Sequence, residues 1–158
     1  FGNSIFDKQL LNRGIDISQG RMGLRLMEEG IGPIISFDAL NFEPGTKVQL
    51  AKSEMIKRES TEAYIVSKTG NYMGKLNLRS LVYSNPQSNI IEFIDEDALN
   101  IKSDASIQQA IEAAANFVGE TIPIVDRSSD SFIGTINEGD IFKLYLELQG
   151  QTIDLEKR

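Results

Sequence analysis

This sequence predicts an α+β fold in which one unit occurs twice about an internal pseudo-twofold axis, and three observations predict it. Asp38-Ala39-Leu40-Asn41 recurs as Asp97-Ala98-Leu99-Asn100, so position 38 reappears at position 97, 59 residues on. The same step carries Val48, Ala51 and Met55 onto Ile107, Ala110 and Ala114, and Ile65-Val66 onto Ile124-Val125. Gly74-Lys75-Leu76-Asn77 then matches Gly134-Thr135-Ile136-Asn137 at a step of 60, which puts one extra residue in the second hairpin loop. A surface loop tolerates such an insertion, and self-similarity at a fixed period outranks local propensity in deciding a fold.

Each unit reads as strand, helix, hairpin, helix. Apolar positions 48, 51 and 55, and again 107, 110, 111 and 114, fall on one stripe of a 3.6-residue period, which predicts an amphipathic helix in both copies. Thr46 with Gln49 and Ser106 with Gln109 have capping-box spacing, and Asp104 competes as a cap for the second copy. Ala63–Ser67 and Thr121–Val125 are short β-prone runs. Polar turns follow them, Lys68-Thr69-Gly70-Asn71 and Arg127-Ser128-Ser129-Asp130, and then second runs at Tyr72–Leu76 and Ser131–Ile136. Helical spacing returns over Leu78–Tyr83 and Asp140–Leu148. Ser84-Asn85-Pro86-Gln87-Ser88-Asn89 is rich in turn residues and short enough to hold the units against each other. The expected division is therefore a leading segment over 1–33, a first unit over 34–84, a linker over 85–90, a second unit over 91–148 and a tail over 149–158. The leading segment differs in character from both repeats.

Composition narrows the function. A formal charge of -7 repels a polyanion, which argues against nucleic acid as a partner but leaves room for one mononucleotide held by backbone N–H groups and a local cation. With no Cys and no His, thiolate metal sites and the commonest general base are both missing. No apolar run approaches the roughly 18 residues of a membrane span, so direct membrane insertion is not expected.

The repeats resemble the CBS family over roughly residues 34–148. Gly134-Thr135-Ile136-Asn137-Glu138-Gly139-Asp140 is similar to that family's strand-ending Gly, Ser/Thr and following Asp, with Asn137 where Ser or Thr is usual. The resemblance implies a tandem regulatory pair rather than an enzyme. No cofactor is required, and ATP, ADP or AMP is the implied regulatory ligand. It nominates Asp140 for the ribose hydroxyls and Asn137 for a phosphate, with Thr135, Ile124 and Asn100 beside them. In the first unit Ser80 replaces the Asp and lacks the charge-assisted pair that a carboxylate offers a diol, so one good nucleotide site per chain is expected.

Ser4-Ile5-Phe6-Asp7-Lys8-Gln9-Leu10-Leu11-Asn12-Arg13-Gly14-Ile15-Asp16 is similar to the stretch between the last membrane helix and the CBS pair of prokaryotic CLC-type chloride channels and chloride/proton antiporters. That resemblance implies a cytoplasmic regulatory domain at the membrane's inner face, homodimeric, whose partner is the transport domain of its own chain. A ligand-free dimerisation scaffold and a nucleotide-sensing pair of another transporter or enzyme remain open beside it.

Several residues have a plainer reading. Asp140 also suits the N-terminal turn of a helix, Asn41 and Asn100 suit strand ends bonding local backbone, and Ile122-Pro123-Ile124-Val125 suits a core strand. Gly70-Asn71-Tyr72-Met73-Gly74-Lys75 lacks the spacing of a phosphate loop and reads as hairpin glycines. Lys75, Lys102 and Arg79 are the nearest candidates for phosphate contacts but read more readily as solvated surface charges, and Glu92, Asp95, Glu96 and Asp97, a cluster that invites a divalent cation, read more readily as a solvated acidic edge.

Overall fold

The computed structural model describes residues 20–156, so the Ser4–Asp16 stretch lies outside the described residues. A helix α1 (Gly20–Glu28) and a 3-10 turn (Gly32–Ile34) lead into the first unit. That unit is β1 (Asn41–Phe42), α2 (Val48–Lys57), β2 (Glu62–Val66), β3 (Tyr72–Asn77) and the short α3 (Leu78–Leu81). A second 3-10 turn (Ile90–Phe93) precedes β4 (Ile101–Lys102), α4 (Ile107–Ala114), β5 (Ile122–Val125), β6 (Phe132–Ile136) and α5 (Glu138–Glu156). Each unit holds a three-stranded sheet, β1-β2-β3 and β4-β5-β6. In each, the first pair is parallel, as the intervening crossover helix requires, and the hairpin pair is antiparallel. The predicted class and element order therefore hold, with α5 continuing through positions 149–156, which the sequence reading assigned to a tail.

Two cores form, one per unit, and neither is made from its own repeat alone. Val48, Ala51, Met55, Ala63, Ile65, Leu76 and Leu81 enclose the first together with Ile90. Ile101, Ile107, Ala110, Ile111, Ala114, Ile122, Ile124, Ile136, Ile141 and Tyr145 enclose the second together with Leu26 and Ile31. The segment ahead of each unit thus packs on the other unit. Ile31 and Ile90, 59 positions apart and both at 0% exposure, are the apolar anchors of this exchange. Burying each contributes about 1.5–3 kcal/mol.

The backbone follows the same rule. Ser36 N–H donates to Thr135 O at 2.7 Å and Thr135 N–H to Ser36 O at 2.9 Å, while Lys75 N–H donates to Asp95 O at 3.1 Å and Asp95 N–H to Lys75 O at 2.8 Å. On the axis itself the hairpin ends exchange Tyr72 N–H to Asp130 O and Phe132 N–H to Gly70 O, each at 2.9 Å. The leading segment is therefore part of the second core from Leu26 onward, and Ile90 belongs to the first core rather than to a linker.

The two helix starts differ. Ser106 and Gln109 form the predicted capping box, with Gln109 N–H to Ser106 Oγ at 3.1 Å and Ser106 N–H to Gln109 Oε1 at 3.0 Å. Asp104 does not compete for the cap, because Arg127 binds it with two hydrogen bonds. Thr46 and Gln49 form no box. Val48 N–H and Gln49 N–H instead meet the carbonyls of Ser88 at 2.8 Å and Pro86 at 3.0 Å, so the inter-unit segment itself satisfies the open end of α2.

Two consequences are measurable. A Cβ at Gly134 would press into the Ser36 carbonyl and stand 2.8 Å from Ile35 Cγ2, whereas one at Gly45 meets nothing. Gly134→Ala should cost about 2 kcal/mol or more in urea unfolding, and Gly45→Ala should stay within about 0.5 kcal/mol of the parent. Near the axis Tyr72 stacks on Phe132 at 6.2 Å, and its hydroxyl is buried without a partner. Burial, then the nearby Asp95 charge, pushes its pKa from 10.0 up to about 12. The folded state therefore binds the phenolic proton more tightly than the unfolded one. Stability is full below pH 10 and falls as pH rises from 10 to 12. Tyr72→Phe should be neutral to stabilising at pH 7 and should flatten that alkaline loss by about 1 kcal/mol, since the partly exposed ring is screened by solvent, read from denaturation curves at pH 8 and pH 11.5.

Candidate functional site

Because each unit's sheet borrows an edge from the segment ahead of the other unit, two clefts open between the units, related by the pseudo-twofold. The larger, about 500 Å³, is lined by Ser36, Asp38, Ala39 and Leu40 from the exchanged segment and by Arg58, Glu59 and Ser60 from the end of α2. Glu62 and Tyr64 of β2, Glu120, Thr121 and Thr135 complete it. The smaller, about 370 Å³, is lined by Asp95, Ala98 and Leu99, by Ala113, Asn116, Phe117 and Val118, and by Glu62, Lys75 and Asn77. Shifting by the repeat step turns one lining into the other. Asp95, Ala98 and Leu99 stand for Ser36, Ala39 and Leu40, and Lys75 stands for Thr135.

That last exchange makes the clefts chemically unlike. Lys75 is 5% exposed, and its ammonium lies 2.8 Å from Glu62 Oε2. It donates to Thr121 O at 2.9 Å and sits 5.1 Å from the centre of the Phe117 ring, a cation–π distance. Glu62 also accepts from Glu120 N–H at 3.2 Å, Thr121 N–H at 3.0 Å and the Thr121 hydroxyl at 3.3 Å. Both charges are satisfied, as a buried pair must be, and the space a ligand's polar end would use in the smaller cleft holds an internal cation. In the larger cleft the same position is the neutral hydroxyl of Thr135.

The floor of the larger cleft is a short relay. Tyr64 donates to Thr121 Oγ1, and Thr121 donates to Glu62. The Tyr64 ring stacks on Phe132 at 5.3 Å. Burial first, then the charges of Glu62 and Glu120, raises the Tyr64 pKa well above the usual phenol range, so this hydroxyl is a donor at any physiological pH. At the mouth, α2 ends on Arg58, and Glu59 takes a left-handed conformation, φ 53°. Glu59 N–H then bonds Ile56 O and Ser60 N–H bonds Met55 O, closing the helix end. This turn brings Arg58 and Glu59 onto the cleft wall, where Arg58 is the one cation among the lining residues.

The structure separates the residues that the sequence motif grouped. Thr135 lines the larger cleft. Asn137 lines neither cleft, and its Oδ1 accepts Asp140 N–H at 2.7 Å, which caps the start of α5. Asp140 is half-buried in the first turn of that helix, the plainer reading, and does not line the cleft. Ile124 is fully buried in the second core and lines neither cleft. Asn100 lines neither cleft. Asn41 bonds the carbonyl of Ala39 at 3.3 Å, again the plainer reading. Lys75 is a buried ion-pair partner rather than a solvated charge or a free phosphate contact. Arg79 is exposed, and Lys102 approaches Asp130 at 4.0 Å. Tyr64, Arg58, Glu62 and Thr121 carried no motif in the sequence. The one signal available for Lys75 was the repeat alignment itself, which sets a charge against a buried threonine.

Among known proteins, no family model matches this sequence and no curated protein sequence matches it. Solved structures do match. A CBS domain pair/ACT domain protein from Thermotoga maritima superposes with a TM-score of 0.67 at 15% identity, over 75% of this chain and 97% of that one. CbpB in complex with c-di-AMP superposes at 0.72 and 12% identity, over 84% and 94%. The cytosolic domain of the Mg2+ channel MgtE in complex with ATP superposes at 0.66 and 18% identity, over 76% of this chain but 50% of that one, so this chain spans half its length. The chain therefore has the fold of a CBS-domain pair. Among the described residues no helix is long and apolar enough to cross a membrane.

The ion pair is the place to test this geometry. Lys75→Met leaves Glu62 buried without its counter-ion and should cost about 3–5 kcal/mol in chemical unfolding. Glu62→Gln added to that variant removes the orphan charge while keeping acceptors for Glu120 and Thr121, and should recover part of the loss. Equal stabilities of the single and double variants would contradict the arrangement.

Proposed function

We propose that this chain is the regulatory CBS pair of a membrane transport protein and binds one adenine nucleotide in the larger cleft. The observation that carries the reading is the asymmetry of the two clefts. The larger presents a hydroxyl at Thr135, a donor relay at Tyr64 and a cation at Arg58 that has no carboxylate partner among the described residues. In the smaller, the position matching Thr135 is the buried Lys75, whose ammonium is already paired with Glu62. A concave site with a few placed polar groups at an interface between units suits a small ligand, and ligand occupancy there bears on both units at once. CbpB with c-di-AMP and MgtE with ATP are structures of this fold that hold adenine ligands.

Within that reading the parent is a CLC-type chloride channel or antiporter, on the similarity of Ser4–Asp16 to the stretch that follows the last membrane helix of that family. The domain then lies at the cytoplasmic face, pairs with its copy, and shifts the transport domain's populations to the extent that nucleotide binds two arrangements unequally. It has no catalytic role. A different transporter is the alternative parent, which the similarity to the Mg2+ channel domain favours. A ligand-free scaffold is the second reading, favoured by the cap in which Asn137 is engaged and by the lysine that is already ion-paired in the wall of the smaller cleft.

Calorimetric titration of the chain with AMP, ADP and ATP in excess Mg2+ tests this. The expected result is saturable binding with one ligand per chain, weakened about tenfold or more in Arg58→Ala, an exposed position whose loss should spare the fold. Asp140→Ala, run alongside, reads whether the ribose reaches the first turn of α5. No heat and no thermal stabilisation at millimolar nucleotide would leave the scaffold as the better account.

A further inference from the structure

The larger cleft is more negative than a phosphate site ordinarily is. Asp38, Glu59, Glu62 and Glu120 line it, against Arg58 alone. Lys75 neutralises Glu62 from the other side at 2.8 Å. Three carboxylates then face one guanidinium, and none of Asp38, Glu59 and Glu120 makes a salt bridge among the described residues. The chain as a whole adds a formal -7.

Resting on the reading above, we infer that this cleft selects its ligand by charge. It takes an adenine ligand of low free charge, a nucleoside monophosphate or a polyphosphate already neutralised by a divalent cation, and turns away the free triphosphate. Arg58 can pair with one phosphate. Every further unit of negative charge meets the carboxylates of Asp38, Glu59 and Glu120 without a protein cation to offset them. At separations of several ångströms in a solvent-open cleft, each added negative charge weakens binding by about tenfold at low ionic strength, and less as salt screens it. Glu59 and Glu120 are thereby specificity-determining residues. Their effect falls on the distal phosphates and spares the adenine and ribose.

The test is titration of the full chain at low ionic strength with AMP, ADP and ATP, first in EDTA and then in excess Mg2+. The expected order in EDTA is AMP tighter than ADP and ADP tighter than ATP, with Mg2+ improving ATP at least tenfold and AMP little. Glu59→Gln/Glu120→Gln, which changes charge with little change in shape, should strengthen Mg2+-free ATP by about tenfold and AMP by less than threefold. If Mg2+-free ATP binds as tightly as AMP, or the double variant leaves their ratio unchanged, charge selection is overturned while the nucleotide reading stands. If no adenine ligand binds with or without Mg2+, both are overturned.

Discussion

The carboxylate of Glu62 binds the two units to each other more specifically than any apolar contact does. It enters on β2 of the first unit, yet three of its donors, the N–H groups of Glu120 and Thr121 and the Thr121 hydroxyl, belong to the second. Its counter-ion, Lys75, comes from β3 and reaches across to the carbonyl of Thr121. A carboxylate this deeply buried is costly unless every lone pair is used, so the relative placement of the units is held to the tolerance of a hydrogen bond. Apolar surfaces alone would allow sliding. Both clefts touch Glu62, and their shapes therefore depend on the same contact.

Around that contact the fold solves an edge problem. A three-stranded sheet in a small unit leaves an open backbone edge at its last strand. Here Ser36 covers β6 of the second unit and Asp95 covers β3 of the first, and the leading segments carrying those residues bury Ile31 and Ile90 in the core of the unit they cover. The exchange is reciprocal, so separating the units would strip both edges and both anchors together. A single unit of this chain would lose its sheet edge and part of its core at once. Splitting the pair would therefore leave unpaired backbone groups along the last strand of both units.

Much of this was legible in the sequence because the repeat is legible. The helices, the hairpin turns and the strand, helix, hairpin, helix order follow from periodicity and turn chemistry, and those signals are local. What was not legible is long-range. The Thr46–Gln49 spacing is correct for a capping box, but the carbonyls of Pro86 and Ser88 arrive first, and no local pattern encodes a segment returning from 40 residues away. The motif residues Asn137 and Asp140 sit where the sequence placed them, at the strand-to-helix turn. They serve that turn because Asn137 Oδ1 meets Asp140 N–H at 2.7 Å. Ile124 reads more readily as core than as pocket wall, and only the placed sheet and helix faces settle its burial in the second core. Tyr64, Glu62 and Thr121 come together only when the pseudo-twofold brings β2 against the loop ahead of β5.

Duplication makes the difference between the clefts informative. A twofold-symmetric pair would offer two equivalent sites, and a ligand binding both would act equally on each unit. In this chain one difference within the repeat, lysine for threonine in the last strand of a unit, sets a cation that the protein itself neutralises in the wall of one cleft and a neutral hydroxyl in the wall of the other. A ligand entering the larger cleft meets Tyr64, Thr121 and Glu62, and the last of these holds Lys75. Any shift of the Glu62 carboxylate toward or away from a ligand must be matched by Lys75 or leave a buried charge unpaired, and that requirement couples the larger cleft to the smaller through a contiguous set of hydrogen bonds. An asymmetric occupant can then tilt one unit against the other, which two identical occupants of a symmetric pair could not do, and a tilt between units is the kind of output a regulatory domain attached to a larger machine can transmit.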